Sequence, residues 1–201
     1  MSIRLYGFPG TRTSRVAWLL EELELAYEYE TIAVGQGEHR SEAHRARPPH
    51  GVVPVLEDGA LRLLESSAMV LYLADKAGKL APAVGTPERG RYYQHVVYAA
   101  ATLDGPAVEY FFHTVLLPEA RRDPERAKKA KSSLDTAIGV LEQALGDGPY
   151  LLGAEFSAAD VAVGYDLHLM RAAGLCETGP LRAYADRLAE RPAHRKTFAP
   201  G

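Results

Sequence analysis

The chain is 201 residues long and 47% apolar, with 23 basic against 26 acidic side chains and a single cysteine, Cys176. That length supports a real hydrophobic core in one large domain or two small ones, which excludes disorder and a mini-protein dependent on cross-links. One cysteine leaves no intrachain disulfide, cysteine-based zinc site or C-x-x-C pair, and a formal charge of −3 argues against a large nucleic-acid footprint.

Residues 1–4 run directly into strand-like sequence, so no cleavable apolar leader is expected. Ile3-Arg4-Leu5-Tyr6 alternates as a short strand and closes on Gly7-Phe8-Pro9-Gly10. Val16, Leu19, Leu20 and Leu23 then fall on one helical stripe that Ser14 or Thr13 can cap. Tyr27, Tyr29 and Thr31 alternate with acids as a half-buried strand, and a strand, helix and strand this close predict a right-handed parallel crossover. Residues 41–47 are polar and suit a short helix. Val52-Val53-Pro54-Val55-Leu56 faces Ala60-Leu61-Arg62-Leu63-Leu64 across Asp58-Gly59, a hairpin signal. Glu65-Ser66-Ser67 starts a helix carrying Met69, Val70, Leu73 and Leu80.

Near residue 80 the character changes, and every later periodic stretch reads helical. Lys79-Leu80-Ala81-Pro82-Ala83-Val84-Gly85-Thr86-Pro87 suits an extended linker. Thr86-Pro87-Glu88 and Asp123-Pro124-Glu125 each place a capping side chain, a first-turn proline and an acid together; Gly179-Pro180 is a weaker version. The uncharged run 92–103 is about a dozen residues, short of the roughly 20 a spanning helix needs. Leu134, Ile138, Leu141 and Leu145 form another stripe, and Ser157-Ala158-Ala159-Asp160 is a capping box with Phe156 placed to staple onto Val161. The expected organisation is 1–80 α/β, 81–87 linker and 88–201 an all-helical bundle.

Three places could carry chemistry. Pro54 within an apparent strand implies an edge, a bulge or a cis bond; a cis bond would turn the Val53 N–H and C=O outward to pair with a peptide-like ligand. Glu65-Ser66 joins a strand to a helix start, where unpaired N–H groups attract a carboxylate and Glu65 can take an amine. Gly10-Thr11-Arg12-Thr13-Ser14-Arg15 sets hydroxyls and guanidiniums at another helix start, the means of stabilising a thiolate, whereas the spacing and lysine of a phosphate loop are missing. Taken singly, the first reads equally well as a mere edge strand, whereas the second reads better as a helix cap and the third as a cap with solvated arginines.

Together these segments resemble a cytosolic glutathione S-transferase of the bacterial type with a serine- or threonine-like site, and the resemblance spans the chain. It is carried by Leu5-Tyr6 through Ser14-Arg15-Val16-Ala17-Trp18-Leu19-Leu20-Glu21-Glu22-Leu23, by the Val52–Leu56 segment, by Leu64-Glu65-Ser66-Ser67-Ala68-Met69, by Leu151-Leu152-Gly153 with Ser157–Asp160, and by Arg191-Pro192-Ala193. It implies a thioredoxin-like glutathione-binding domain followed by an all-α bundle. Pro54 would be the cis-proline, Val53 would pair with the cysteinyl backbone of glutathione, and Glu65 and Ser66 would hold its γ-glutamyl end. Thr11 is the first choice to polarise the thiol, Ser14 the second and Thr13 the third; Tyr6 lies near where tyrosine-type members place their phenol. The usual Asn-Pro-x-Gly-Lys pattern is replaced by Pro48-Pro49-His50-Gly51-Val52, so His39, Arg40 and His50 are the candidates for the glycine carboxylate.

Phe8, Tyr98, Tyr110, Phe111, Phe112, His113 and Tyr165 are candidates for an electrophile pocket, Phe8, Tyr110, Phe111 and Tyr165 foremost. Asp160 and Ser157 are assigned to stability, and Cys176 reads as a small buried hydrophobe. The resemblance further implies a cytoplasmic homodimer in detoxification, without metal, membrane or nucleic-acid partner. The expected activity is conjugation of glutathione to hydrophobic electrophiles or reduction of peroxides. The alternatives are a non-catalytic binding or regulatory protein of the same fold, or a narrow glutathione-dependent isomerase or dehalogenase.

Overall fold

The computed structural model describes residues 2–199. By its internal contacts the chain divides into one unit of Met1–Lys79 with Arg191–Gly201 and a second of Leu80–Glu190.

In the first unit, strand β1 (Ile3–Gly7) leads through helix α1 (Thr13–Glu22) to strand β2 (Tyr27–Thr31), paired parallel to β1 as the crossover predicts. After a short helix α2 (Glu42–Arg45), strands β3 (Val55–Asp58) and β4 (Leu61–Leu63) form an antiparallel hairpin, and β3 also pairs antiparallel with β1. The sheet order is β2-β1-β3-β4. The hairpin turn sits on Gly59 and Ala60, because Asp58 pairs with Leu61 and is still strand. Helix α3 (Ser66–Ala77) ends at Gly78, whose φ of 62° is the left-handed geometry a glycine C-cap supplies. Leu5, Val16, Leu19, Leu20, Leu56, Met69, Val70 and Leu73 are fully buried, so sheet and helices share one core.

By its internal contacts the final helix, α9 (Pro192–Phe198), groups with this first unit. The reason is specific side-chain anchoring. Arg191 grips the Glu22 carboxylate with two 2.7 Å hydrogen bonds, a bidentate geometry that fixes orientation as well as distance. The Trp18 indole donates to the same carboxylate at 2.8 Å and meets the His194 ring edge-on at 4.8 Å.

In the second unit, α4 (Pro87–Tyr98) starts as predicted, with the Thr86 hydroxyl accepting from Arg89 N–H. The helical path continues through a π-turn (Ala99–Leu103), α5 (Asp104–Phe111) and a second π-turn (Phe112–Leu116). Pro106 accounts for the first widened turn: it lacks the N–H that would bond the Thr102 carbonyl, and its ring crowds that oxygen. Helix α6 (Pro124–Leu145) is capped by Asp123, which accepts from Glu125 and Arg126 N–H groups. Helix α7 (Ala158–Ala172) starts on the Ser157–Asp160 capping box and is buried along most of its length. Helix α8 (Gly179–Ala189) completes the bundle. Among the described residues no helix is long and apolar enough to cross a membrane.

Candidate functional site

The turn after β1 is knit by three hydroxyls, and they are not equivalent. Thr13 Oγ1 accepts from Phe8 N–H at 3.3 Å, and Ser14 Oγ accepts from Gly10 N–H at 2.9 Å. Both side chains are buried, and a Cβ at Gly7 would stand 2.0 Å from Thr13 Oγ1, so only glycine lets Thr13 in. The expectation that Thr13 or Ser14 caps α1 is therefore corrected: each hydroxyl satisfies the loop before the helix, and neither side chain caps it. Thr11 is the half-exposed member. Its hydroxyl donates to the Phe8 carbonyl at 2.6 Å and lies 2.9 Å from Thr13 Oγ1. Beside it Phe8 is 38% exposed. Of the three, Thr11 is the most exposed residue.

Tyr6 is accounted for within the sheet. It is buried, its hydroxyl donates to Glu57 at 2.9 Å, and the Arg47 guanidinium lies 4.3 Å over its ring. Burial works against the Glu57 charge, but the Tyr6 and Arg62 hydrogen bonds hold its carboxyl below the ordinary value.

The Val53-Pro54 peptide is cis and precedes β3, so the proline lies outside the ladder it could not have served. Pro54 is buried and Val53 half-buried, packed with Leu64 against a cluster of Tyr6, Ile32 and Val55.

Glu65 sits at the start of α3 with φ 67° and ψ 106°, a left-handed backbone that a side chain rarely adopts. No side chain caps this helix, which leaves first-turn N–H groups for an anion at the positive end of the dipole. Ser66 is buried there and its hydroxyl accepts a 2.9 Å hydrogen bond from Arg15 Nη1. Because that oxygen accepts from Arg15, its own proton is left to donate. Arg15 is 0% exposed, a cation in the core of the unit. In the sequence it stands among other loop arginines, and only the fold singles it out.

Of the basic candidates, Arg40 and His50 are exposed and His39 is half-buried in a 3-10 turn (Glu38–Arg40), its Nδ1 buried with no hydrogen-bond partner. Sequence reasoning passed over His44. It is 1% exposed on α2, and its Nε2 lies 2.9 Å from the Val52 carbonyl oxygen.

In the second unit Tyr110 and Phe111 are half-buried, Phe112 is 40% exposed and Tyr165 is 2% exposed, a core position. His113 is used internally: its Nδ1 accepts from Asp123 N–H at 3.0 Å. Cys176 is half-buried, and burial pushes its thiol up to about 11, so it stays protonated at neutral pH. Among the described residues no group of three or more potential ligands could hold a metal ion.

Comparison with known proteins shows the family and the fold. The model for the glutathione S-transferase N-terminal domain matches residues 1–75, and that for the C-terminal domain matches residues 99–192. Glutathione S-transferase A of Pleuronectes platessa is 30% identical over 98% of this chain and 90% of its own length. Glutathione S-transferase GstB of Escherichia coli is 29% identical over 93% of this chain and 92% of its own. The crystal structure of a theta class glutathione S-transferase from Xanthomonas axonopodis pv. citri, with glutathione bound, superposes with a TM-score of 0.87. It is 30% identical, over 100% of this chain and 98% of that one. The chain belongs to the glutathione S-transferase family, a family of enzymes on a thioredoxin-like α/β layer followed by an all-helical bundle.

Proposed function

We propose that the protein binds glutathione on its first unit and transfers the thiolate to hydrophobic electrophiles. The observation that carries this reading is the pairing of two features on one sheet: the Val53 peptide group beside cis-Pro54, and the uncapped start of α3 at Glu65 and Ser66. The first suits the cysteinyl backbone of a tripeptide; the second suits the carboxylate and amine of its γ-glutamyl end. Glutathione is the peptide named in the Xanthomonas structure. For the glycine carboxylate, His39, Arg40 and His50 supply cationic or donor groups.

Thr11 is the donor to the sulfur. In the free protein its proton goes to the Phe8 carbonyl. A thiolate is a stronger acceptor, since hydrogen bonds to charged groups are worth about twice neutral ones, so the hydroxyl swings to the sulfur. The thiol proton leaves to solvent. The sulfur lone pair then forms a bond to the electrophilic carbon, and the leaving group departs with the electrons of the broken bond. With a hydroperoxide the sulfur attacks oxygen and the alcohol leaves; a second glutathione converts the sulfenic acid to the disulfide and water. Phe8, exposed beside Thr11, offers apolar surface to the substrate. A cytoplasmic homodimer in detoxification is part of the proposal.

Retention on immobilised glutathione followed by turnover of an aromatic halide is the test. Retention with conjugation supports the reading. Retention without turnover of a panel of halides, epoxides and hydroperoxides replaces it with a binding protein of the same fold, and failure to bind glutathione removes it.

A further inference from the structure

Val52 C=O and Val53 N–H are two ends of one planar peptide group. Whatever holds the carbonyl therefore aims the N–H. This group sits in irregular chain before β3, between Gly51 and Pro54. Gly51 anchors one side: its φ is 62°, and a Cβ there would stand 2.7 Å from the His39 carbonyl oxygen. Between those ends, the donor that the Val52 carbonyl meets among the described residues is His44 Nε2, at 2.9 Å.

We propose that His44 is a positioning residue for glutathione, orienting the Val53 N–H toward the cysteinyl backbone through its hydrogen bond to the Val52 carbonyl. The proposal rests on the glutathione reading given above. His44 is itself fixed, 1% exposed on α2 with its own N–H donating to the Ser41 hydroxyl at 3.2 Å. Since a carbonyl only accepts, Nε2 is the donor in that bond, and Nδ1 is left to be satisfied elsewhere. That Nδ1 is buried and has no hydrogen-bond partner. A phenyl ring would fill the same space without leaving an unsatisfied polar atom. Packing alone thus gives no reason for an imidazole here, whereas the Val52 bond does. A peptide group that accepts at its oxygen is also polarised, which makes its N–H the better donor.

The experiment compares wild type, His44→Phe and His44→Gln as full chains, by calorimetric titration with glutathione and by steady-state kinetics with an aromatic halide. Thermal melting and the Val53 amide resonance of the free protein are recorded alongside. One well-placed hydrogen bond converts to about a three- to tenfold change in affinity. His44→Phe is expected to raise Kd and KM for glutathione by about that factor. Its kcat at saturating glutathione and its KM for the halide stay within about twofold, and the Val53 amide proton moves upfield. His44→Gln, whose amide reaches the same carbonyl, recovers part of both changes. Unchanged affinity in His44→Phe overturns the proposal. So does an equal loss in both variants that follows a lower melting temperature, which is the signature of packing. A wild type that does not bind glutathione overturns the reading beneath, and is told apart because it needs no substitution.

Discussion

Arg15 Nη1 donates to Ser66 Oγ across 2.9 Å, joining the first helix of the first unit to the start of its third. The two side chains, 0% and 6% exposed, place a permanent cation under the helix end proposed for the γ-glutamyl group. Arg15→Met keeps most of the volume and removes the charge and the fork of donors. Glutathione Kd in Arg15→Met should rise by about tenfold or more, given the 1.5–3 kcal/mol typical of hydrogen bonds to charged groups. Arg15→Lys should not rescue it, because a single ammonium cannot reproduce the fork. Titration of both variants with glutathione checks this; full affinity in Arg15→Met excludes a role for the guanidinium.

The hydroxyls of Thr11 and Ser14 separate function from structure. Thr11→Val removes the half-exposed donor, while its methyls fill the same shape. We expect kcat/KM to fall by about 10- to 100-fold, with the apparent pKa of bound glutathione rising by about 1–2 units, the loss of one charge-assisted hydrogen bond. Ser14→Ala instead removes the acceptor that the Gly10 N–H now bonds at 2.9 Å. It should cost about 1 kcal/mol of stability and leave the thiol pKa in place. Absorbance titration of the thiolate together with thermal melts of the two variants decides; the reverse pattern would make Ser14 the donor.

The contrast shows what a sequence can and cannot convey. Helix starts at Thr86-Pro87, Asp123-Pro124 and Ser157–Asp160 were legible because caps are local chemistry, written within four residues. The β1–β2 crossover and the β3–β4 hairpin were legible because alternation and a short turn fix pairing over short spans, whereas the antiparallel join of β3 to β1 was not. Arg15 and His44 were not, because a buried polar side chain has the same letter as a solvated one, and its partner lies at Ser66 or Val52 by folding. The packing of α9 on the first unit was not legible for a related reason: the contacts of Arg191 and His194 with Glu22 and Trp18 join residues far apart in the sequence. Thr13 and Ser14 show the opposite error. Local rules read them as caps, yet a tight turn with Gly7 beneath Thr13 had prior use for both hydroxyls.

Asp160 should be the most sensitive single position in the second unit. Its carboxylate accepts from Leu151 N–H at 2.9 Å, from Ser157 N–H and Oγ at 2.8 Å each, and from the Tyr184 hydroxyl at 2.8 Å. It thereby ties the approach to α7 to α8. Asp160→Ala strands four buried donors and removes the cap at once, so a loss of about 3–4 kcal/mol is expected. Asp160→Asn keeps the size and one acceptor oxygen and should lose less. Urea unfolding of the two variants gives the comparison; a loss under about 1 kcal/mol for the alanine variant would contradict it.

Stability should fall on mild acidification, and His95 and His168 give the sign. Burial lowers the pKa of His95; the neighbouring Asp160 charge opposes this and Arg91 adds to it. Burial likewise lowers that of His168, with Arg171 acting in the same direction. Both rings are therefore neutral in the fold at a pH where the unfolded chain, with imidazoles near 6.5, already takes up protons. The unfolded state binds more protons in that window, so stability rises with pH. It is fully present above about pH 6.5 and is lost as pH falls from there toward the folded values. Asp58, held below the ordinary carboxylate value by hydrogen bonds from Lys76 and Tyr72, adds a separate loss at lower pH, below the unfolded carboxylate range. Unfolding free energies measured at closely spaced pH values between 7.5 and 5.5 should slope downward on acidification. His95→Gln should flatten part of that slope without touching the later, acidic fall. An unchanged slope in His95→Gln would assign the loss to other groups.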